Sequence, residues 1–486
     1  MAGAGTPSTI YVLEHNTSIS TTLLNIEAMQ SVVETGDAET KILMQDIDDF
    51  VNISIHCDNM RVQQTAQEAA PALLNNVNDA VDSLADGFWP VNKQIHDHPE
   101  LALKEFIAHK ALTTYMRAQP GWTVTESAHG IETAWIAEFD SGRPGPVISF
   151  NAEYGIGHAC GHNLIATASV VGATAAAKVM KETGTSGKII LFGTPAEEDI
   201  GGKIMLLNKG AYSDRKVELN IMAHPGITPN AAMMSTNAIA SFKVEYFGRA
   251  AHAAANPWLG INALDALVQG YNNFSMLRQQ TMPGDIIQGY ICDGGVATNI
   301  IHEYAAGKFA IRAKTHSRLE ELREMVLKCF EAGSLSTGAK MKVTSAMSYK
   351  DHVPNRPLAK AYTRYFNALH PPEFGGPIAT GEAADRENGV TLASTDQGDI
   401  SYAMPSLHAG FTIIPGEGGQ GPHNAGFAAS AGTKDSYERA MRVAKSLAGV
   451  ALEALRDEAF LAEVKERWRE DMKAHKSAVP ARNACC

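Results

Sequence analysis

The stretch that decides the fold is ISFNAEYGIGHACGHNLIATASVVGATAAA, residues 148–177. A strand-like run ends near Glu153, and a Gly-containing turn with His158, Cys160 and His162 follows it. The turn leads into a run of small residues interrupted by Thr and Ser, which predicts a closely packed buried helix rather than a membrane span. Three kinds of chemistry fit the turn: a cysteine nucleophile, a glycine-rich phosphate cradle, or a metal site.

Strand-like and helical segments alternate around this stretch. The strand candidates are TAWIAEF, PVISFNAEY, GKIILFGT and VELNIMAHPG, and amphipathic helical segments lie before and between them. Such alternation is typical of an α/β layer with a largely parallel sheet. The sequence therefore predicts an α/β fold in which polar side chains at several strand ends meet at one edge of the sheet.

The pattern changes near Thr236. The following segments are AIASFKVEYFG, GINALDALVQGYNNFSMLRQQ, IIQGYICDGG, EYAAGKFAIRAKT, RLEELREMVLKCFEAG and AKMKVTSAM. Their order, β-α-β-β-α-β, is that of a ferredoxin-like α+β module, so a small domain interrupts a larger one. We predict a partly helical or disordered extension (1–75), two halves of the larger domain (76–235 and 351–470), an inserted domain (236–350) and a tail (471–486).

Charge and cysteine content narrow the function classes. The chain of 486 residues has a formal net charge of −12 and no Lys/Arg run, which argues against a nucleic-acid partner. The N-terminus has no basic segment followed by an apolar one, so no signal peptide and no membrane partner are predicted. The six cysteines (57, 160, 292, 329, 485 and 486) are scattered, and this favours a reducing, cytoplasmic location.

Further metal-type groups follow other strand candidates. Glu197 and Glu198 end the segment GTPAEE, His224 ends IMAH, and His423 lies in the Gly/Pro loop GPHNAG. Two adjacent carboxylates at a buried strand end repel each other, and a bound dication relieves that repulsion. A cysteine nucleophile leaves these four residues unexplained. A phosphate cradle requires Gly or Ala where this chain has Cys160.

Several motifs in order identify the chain as similar to a known family. They are GIGHACGHNLIATASVVGA, GTPAEEDIGGK, MAHPG, FGRAAHAAANPWLGINALDA, NIIHEYAAGKFAIRA and STDQGDISYAMPSLH, within residues 77–465. Together they resemble the M20 metallopeptidase/amidohydrolase family, and most of all its amidohydrolase branch with dipeptidases acting on β-alanyl-lysine-type dipeptides. The resemblance implies a zinc-peptidase-like catalytic α/β domain interrupted by a ferredoxin-like lid domain, with a homodimer formed through the lid.

The resemblance also implies roles for individual residues. It implies hydrolysis of an amide bond, in a dipeptide or N-acyl amino acid, by a metal-activated water. The cofactor is zinc, as one or two ions, with manganese or cobalt as alternatives. The implied metal ligands are Cys160, His162, Glu198, His224 and His423. The remaining implied roles are Glu197 as general base, His252 as oxyanion-stabilising lid residue, Asn299 and Arg312 as substrate contacts, and Asp396 and Asp399 as ligand-orienting residues.

One segment departs from the family pattern. Relatives in this branch read EYDALPGIGHACGH, whereas this chain reads Glu153-Tyr154-Gly155-Ile156-Gly157-His158 and lacks Asp-Ala-Leu-Pro. The missing Asp supports the metal site in relatives, and losses of this kind cost about 10- to 100-fold in affinity or activity. Two hypotheses therefore stand: an active metal-dependent hydrolase in which Glu153 partly compensates, or a catalytically impaired binding or regulatory protein.

Overall fold

The structure of the protein is a computed structural model that describes residues 71–155, 157, 159–369, 376–381, 389 and 391–477. The predicted N-terminal extension lies outside the described residues up to position 70. The predicted tail lies outside them from position 478 onward.

The described chain forms one compact unit that contains two sheets. The elements of the first part are α1 (Leu74–Asp97), α2 (Phe106–Arg117), β1 (Trp122–Glu126), β2 (Trp135–Asp140), β3 (Val147–Glu153), α3 (His162–Thr183), β4 (Lys188–Thr194), α4 (Gly202–Asn208) and β5 (Leu219–Gly226). The middle part comprises β6 (Ala238–Phe247), β7 (Ala251–His252), α5 (Ala263–Met276), β8 (Ile286–Asp293), β9 (Ile300–Ile301), β10 (Tyr304–Ala313), α6 (His316–Thr337) and β11 (Lys340–Tyr349). The last part comprises α7 (Arg356–Ala368), α8 (Gln397–Ala403), β12 (Ser406–Thr412), α9 (Ala425–Ala431), α10 (Lys434–Arg456) and α11 (Glu458–Ser477).

The larger sheet is mixed and mostly parallel. Its strand order is β1-β2-β4-β3-β5-β12, in which β4, β3, β5 and β12 pair in parallel and β1 and β2 complete it with antiparallel pairs. Every residue of β3 and of β12 is buried, as expected for parallel strands covered on both faces. The predicted α/β class with a mostly parallel central sheet is therefore confirmed.

Helix α3 is the centre of the larger domain. It is long and apolar enough to cross a membrane, but 94% of its most apolar window is buried inside the protein, so it is a core helix. Its small residues allow close packing: a Cβ added to Gly172 would lie 3.1 Å from the Ala444 carbonyl oxygen of α10. The run of Ala, Gly and Ser in the sequence is explained by this close approach of two helices.

The inserted domain has its own sheet and core. The strand order β11-β6-β10-β8 is antiparallel throughout, and α5 and α6 pack on one face. Phe242, Phe274, Phe309 and Phe330 form an aromatic cluster between the sheet and the helices. A separate α+β domain, predicted from the order of the segments, is thus present.

We expect Gly193→Ala and Gly87→Ala to change stability in opposite directions. Gly193 faces Trp135 across the β2–β4 pair, and an added Cβ would lie 2.0 Å from the indole Nε1. Overpacking there should cost about 1–3 kcal/mol. Gly87 lies in α1 with no atom within 4 Å of an added Cβ, so alanine should stabilise by about 0.5–1 kcal/mol.

Thermal unfolding midpoints of both variants and the unmodified protein check this pair. An unchanged or raised midpoint for Gly193→Ala would contradict the packing of Trp135 against β4.

Candidate active site

The predicted metal-type residues lie at one edge of the larger sheet, where its four parallel strands end. Each comes from a different strand or the loop after it, so residues far apart in sequence meet at the carboxyl edge. Cys160 and His162 follow β3, Glu197 and Glu198 follow β4, His224 lies on β5, and His423 follows β12.

One group of side chains surrounds Cys160. Its Sγ lies 2.7 Å from Glu198 Oε1 and 3.4 Å from His423 Nε2. Glu198 Oε1 is 3.8 Å from His423 Nε2 and 3.8 Å from His162 Nε2. The His423 side chain is 60% exposed whereas Cys160 and His162 are buried, so the group opens to solvent on the His423 side.

A second group surrounds His162 from the opposite side. His162 Nε2 lies 3.5 Å from Glu153 Oε2, and Glu153, His162 and His224 each offer a ligand atom within 4.8 Å of the others. Neither His162 Nε2 nor Glu153 Oε2 has a hydrogen-bond partner among the described residues, although both atoms are buried. His224 Nδ1 is 2.7 Å from the Pro225 carbonyl oxygen; it therefore donates its proton there, which leaves Nε2 available as a ligand.

Backbone strain is concentrated at this edge. Ala159, Ala196 and His423 all adopt left-handed conformations, with φ of 61°, 57° and 65°. Non-glycine residues persist in this region only where the surroundings hold them, and such strain is typical of functional sites. The His423 N–H donates to the Ala159 carbonyl at 3.1 Å, so two of the strained turns hold each other beside Cys160.

Two residues that we did not predict hold the turn that presents Glu197. Glu105 accepts the Ala196 N–H at 2.9 Å and the Thr133 hydroxyl at 3.0 Å, and it is fully buried. Tyr349, the last residue of β11, donates its hydroxyl to the Glu197 carbonyl at 2.5 Å. Only the acidic Glu105 in an otherwise apolar helix start was visible in the sequence.

Lys203 is the other unpredicted residue. Its ammonium group is completely buried, donates to Glu153 Oε1 at 2.5 Å, and is also hydrogen-bonded to Asp396. Its backbone N–H donates to the second oxygen of Asp396 at 2.8 Å. Burial alone would lower the pKa of Lys203, but the carboxylates of Asp396 and Glu153 outweigh it and raise that pKa.

The titratable groups of the site are strongly perturbed. Burial, and then the nearby Glu198 carboxylate, raise the pKa of the Cys160 thiol, which is opposite to the activated thiolate of a cysteine nucleophile. Burial, Glu153 and Glu198 raise the pKa of Glu197 well above its usual value. Burial lowers the pKa of His162 despite its acidic neighbours, which keeps the imidazole neutral and able to bind a cation.

The spacing of these donors fits a divalent metal. Bonds of about 2.0–2.3 Å from zinc to N, O and S ligands in tetrahedral geometry separate neighbouring ligand atoms by about 3.3–3.7 Å. The Cys160–His423 separation of 3.4 Å and the His162–Glu153 separation of 3.5 Å lie in that range. Thiolate, imidazole and carboxylate together are a donor set that zinc favours.

The lid residues lie in two places. The strand pair β7–β9 brings His252 and Asn299 together, and the Ala253 N–H donates to the Asn299 carbonyl at 2.9 Å. Across the described chain, no hydrogen bond, ion pair or ring contact joins His252 to the predicted ligands. Arg312 on β10 instead reaches the larger domain, where it donates to Ser394 Oγ at 2.9 Å.

The two aspartates of the 396–399 segment have different surroundings. Asp396 touches the site through Lys203. Asp399 accepts the Lys350 N–H at 3.0 Å and pairs with the Lys350 ammonium at 3.3 Å, away from the predicted ligands. His158, the other histidine of the opening stretch, lies outside the described residues.

Comparison with known proteins gives concordant matches. The family model "Peptidase dimerisation domain" matches residues 235–337. The chain is 35% identical to the human Xaa-Arg dipeptidase over 414 residues, covering 81% of this chain and 91% of the relative. It is 26% identical to a p-aminobenzoyl-glutamate hydrolase of Escherichia coli, covering 68% of this chain and 74% of that relative.

Solved structures share the fold. A protein from methicillin-resistant Staphylococcus aureus that is named as an aminohydrolase superposes with a TM-score of 0.61 at 18% identity, covering 79% of this chain and all of that one. A dinuclear metal-binding peptidase of the M20 family from Bacillus subtilis superposes with a TM-score of 0.54 at 15% identity, covering 76% and 99%.

The fold, the site and these relatives define a metal-dependent hydrolase of amide bonds. The chain belongs to the M20 peptidase family, in agreement with the resemblance found in its motifs. The alternative of a catalytically impaired binding or regulatory protein is not favoured, since the relatives are dipeptidases and amidohydrolases.

Proposed function

We propose that this enzyme hydrolyses the amide bond of a dipeptide or N-acyl amino acid with a free α-carboxylate, as a cytoplasmic, zinc-dependent homodimer. The observation that carries the proposal is the group formed by Cys160, His162, Glu198 and His423, with Glu197 directly beside it. Such an arrangement has the ligands and the proton acceptor that metal-assisted hydrolysis requires.

In this proposal Cys160, His162, Glu198, His224 and His423 hold the metal, as one or two ions. When bound, a zinc ion lowers the pKa of a water molecule toward neutrality and polarises the substrate carbonyl. Manganese and cobalt accept the same imidazole and carboxylate ligands, but the thiol of Cys160 favours zinc. The open side at His423 provides the substrate with an entrance.

Glu197 serves as the general base and then as the acid. Its Oε2 lies 4.0 Å from His162 Nε2, at the inner wall of the site. Its raised pKa, caused by burial and by Glu153 and Glu198, suits a carboxylate that takes a proton from water and returns it to the leaving amine. The Tyr349 hydroxyl on its carbonyl and the Glu105 carboxyl on the preceding N–H keep the turn in place.

Arg312 is our candidate for binding the substrate carboxylate, with Asn299 as a second contact from the lid. Burial lowers the pKa of Arg312 and Glu198 opposes that shift, so the two side chains lie within electrostatic range. The names of the human and E. coli relatives both describe an acyl group joined to an amino acid. The shared feature of such substrates is an α-carboxylate next to the scissile amide, which a guanidinium binds well.

His252 is our candidate for stabilising the oxyanion of the tetrahedral intermediate. The N–H groups of Ala254 and Ala255 donate to its Nδ1 at 3.2 and 3.1 Å, so Nε2 carries the proton and can donate it to an oxyanion. Because His252 makes no described contact with the ligands of its own chain, we propose that it acts at the site of the partner subunit. The edge strand β8, with exposed Tyr290 and Ile291, offers a surface for dimerisation.

Two adjacent carboxylates should give different results when each is replaced. In Glu197→Gln we expect kcat to fall about 10²- to 10⁴-fold with the metal content unchanged, because only the proton acceptor is lost. In Glu198→Gln and Cys160→Ala we expect loss of bound metal as well as activity. Elemental mass spectrometry and hydrolysis of a dipeptide panel provide the readouts. An enzyme that holds no zinc, manganese or cobalt would contradict the proposed function.

Replacement of Arg312 should affect substrates according to their carboxylate. For Arg312→Ala we expect KM to rise about 10-fold or more for Xaa-Arg, Xaa-Lys and p-aminobenzoyl-glutamate, as for loss of a charged hydrogen bond. C-terminally amidated dipeptides should be poor substrates of the unmodified enzyme and should be little affected by the change. Arg323→Ala is the matched control, since Arg323 on α6 bonds only Ser345 and Glu320 of the lid. Equal losses with free and amidated substrates would indicate that Arg312 only fastens the lid.

A mixed dimer tests whether His252 acts across the subunit interface. We expect Glu197→Gln and His252→Ala homodimers to be nearly inactive. A heterodimer with one variant in each subunit should recover about half of the unmodified activity, because one of its two sites then has both residues. Differently tagged subunits, co-expressed and purified in tandem, give this heterodimer. Activity no higher than that of the parent variants would contradict action in trans.

A further inference from the structure

The side chain of Glu153 stands out in the search for groups that the proposed mechanism does not use. It lies at the end of β3, in the segment that lacks four residues compared with the family pattern. One of its oxygens, Oε1, accepts a hydrogen bond from Lys203 at 2.5 Å. The other, Oε2, is buried without a hydrogen-bond partner among the described residues and lies 3.5 Å from His162 Nε2.

A buried carboxylate oxygen without a partner is costly, so its position requires a compensating group. Lys203 is the cation that faces Glu153, but it is shared with Asp396, and the carboxylate of Glu197 lies within the same cluster. Three buried carboxylates around one ammonium leave an excess of negative charge. A dication next to Glu153 Oε2 would compensate for it.

The available ligand atoms divide into two sets. A single imidazole nitrogen binds one ion, so His162 Nε2 cannot serve both of the groups in which it lies. Cys160, Glu198 and His423 form one set of three, with Sγ–Oε1 and Sγ–Nε2 separations of 2.7 and 3.4 Å. His162, His224 and Glu153 remain as the other set.

We propose that Glu153 is a metal ligand, and that it completes a second divalent-cation position with His162 and His224, separate from the position at Cys160. Lys203 holds the Oε1 oxygen of Glu153 and thereby directs Oε2 toward the two histidines. This inference rests on the proposed metal-dependent function. It assigns to Glu153 the support for the site that the shortened segment no longer provides.

The test compares metal binding by Glu153→Gln with that of the unmodified enzyme and of Glu105→Gln. Glu105 is also a fully buried glutamate, but its two hydrogen bonds can be kept by the Gln amide oxygen and by rotation of the Thr133 hydroxyl. It therefore controls for the loss of a buried negative charge as such. Each protein is stripped with chelator, titrated with Co²⁺ or Zn²⁺, and analysed for bound ions by elemental mass spectrometry.

We expect two ions per chain in the unmodified enzyme and in Glu105→Gln, and one tightly bound ion in Glu153→Gln, with affinity for the second ion lower by about 100-fold or more. The thiolate-to-cobalt charge-transfer absorption of Cys160 should remain in Glu153→Gln, because that position keeps its own ligands. Persistence of this absorption also shows that the variant is folded.

The possible outcomes separate the two proposals. If the unmodified enzyme binds no metal, the proposed function fails. If Glu153→Gln binds the same number of ions with the same affinities as the unmodified enzyme, whether one or two, the role of Glu153 is refuted while the metal-dependent function stands. If Glu153→Gln loses both ions together with the cobalt–thiolate absorption, two separate positions are excluded.

Discussion

The buried ammonium group of Lys203 is the interaction on which the site depends. It joins Glu153 at the end of β3 to Asp396 before α8, two residues separated by more than half of the larger domain and by the inserted lid. Buried charges are tolerated only when they are paired and hydrogen-bonded. The pairing therefore fastens the two halves of the larger domain directly beneath the candidate ligands.

Around this centre, the active edge of the sheet is held by turns in unfavourable conformations. Ala159, Ala196 and His423 have positive φ, and each lies next to a candidate ligand or is one. The strain is offset by hydrogen bonds from distant elements, such as that between the Ala196 N–H and Glu105. Rigid strands and a buried helix thus supply the stability that lets three strained turns present their side chains toward one point.

The lid couples to this site at one place and stays apart from it at another. Arg312 extends from β10 to Ser394 of the larger domain and lies within electrostatic range of Glu198. His252 and Asn299 share the small β7–β9 ladder, without a described contact to the candidate ligands of their own chain. This division agrees with an enzyme whose substrate is bound by residues from two domains, and with a partner subunit that contributes to catalysis.

Sequence by itself determined the fold class, the inserted domain and the residues that gather at the sheet edge. Periodicity is a local property, and parallel strands must place their carboxyl ends together, so Cys160, Glu198, His224 and His423 could be grouped without coordinates. The roles of Glu105, Tyr349 and Lys203 could not be recognised, because a lysine in the helix start GGK resembles any solvated charge until its partners are known. Only the tertiary structure decided that Lys203 is buried between Glu153 and Asp396, since pairing of charges across about two hundred residues depends on how the two halves of the domain pack.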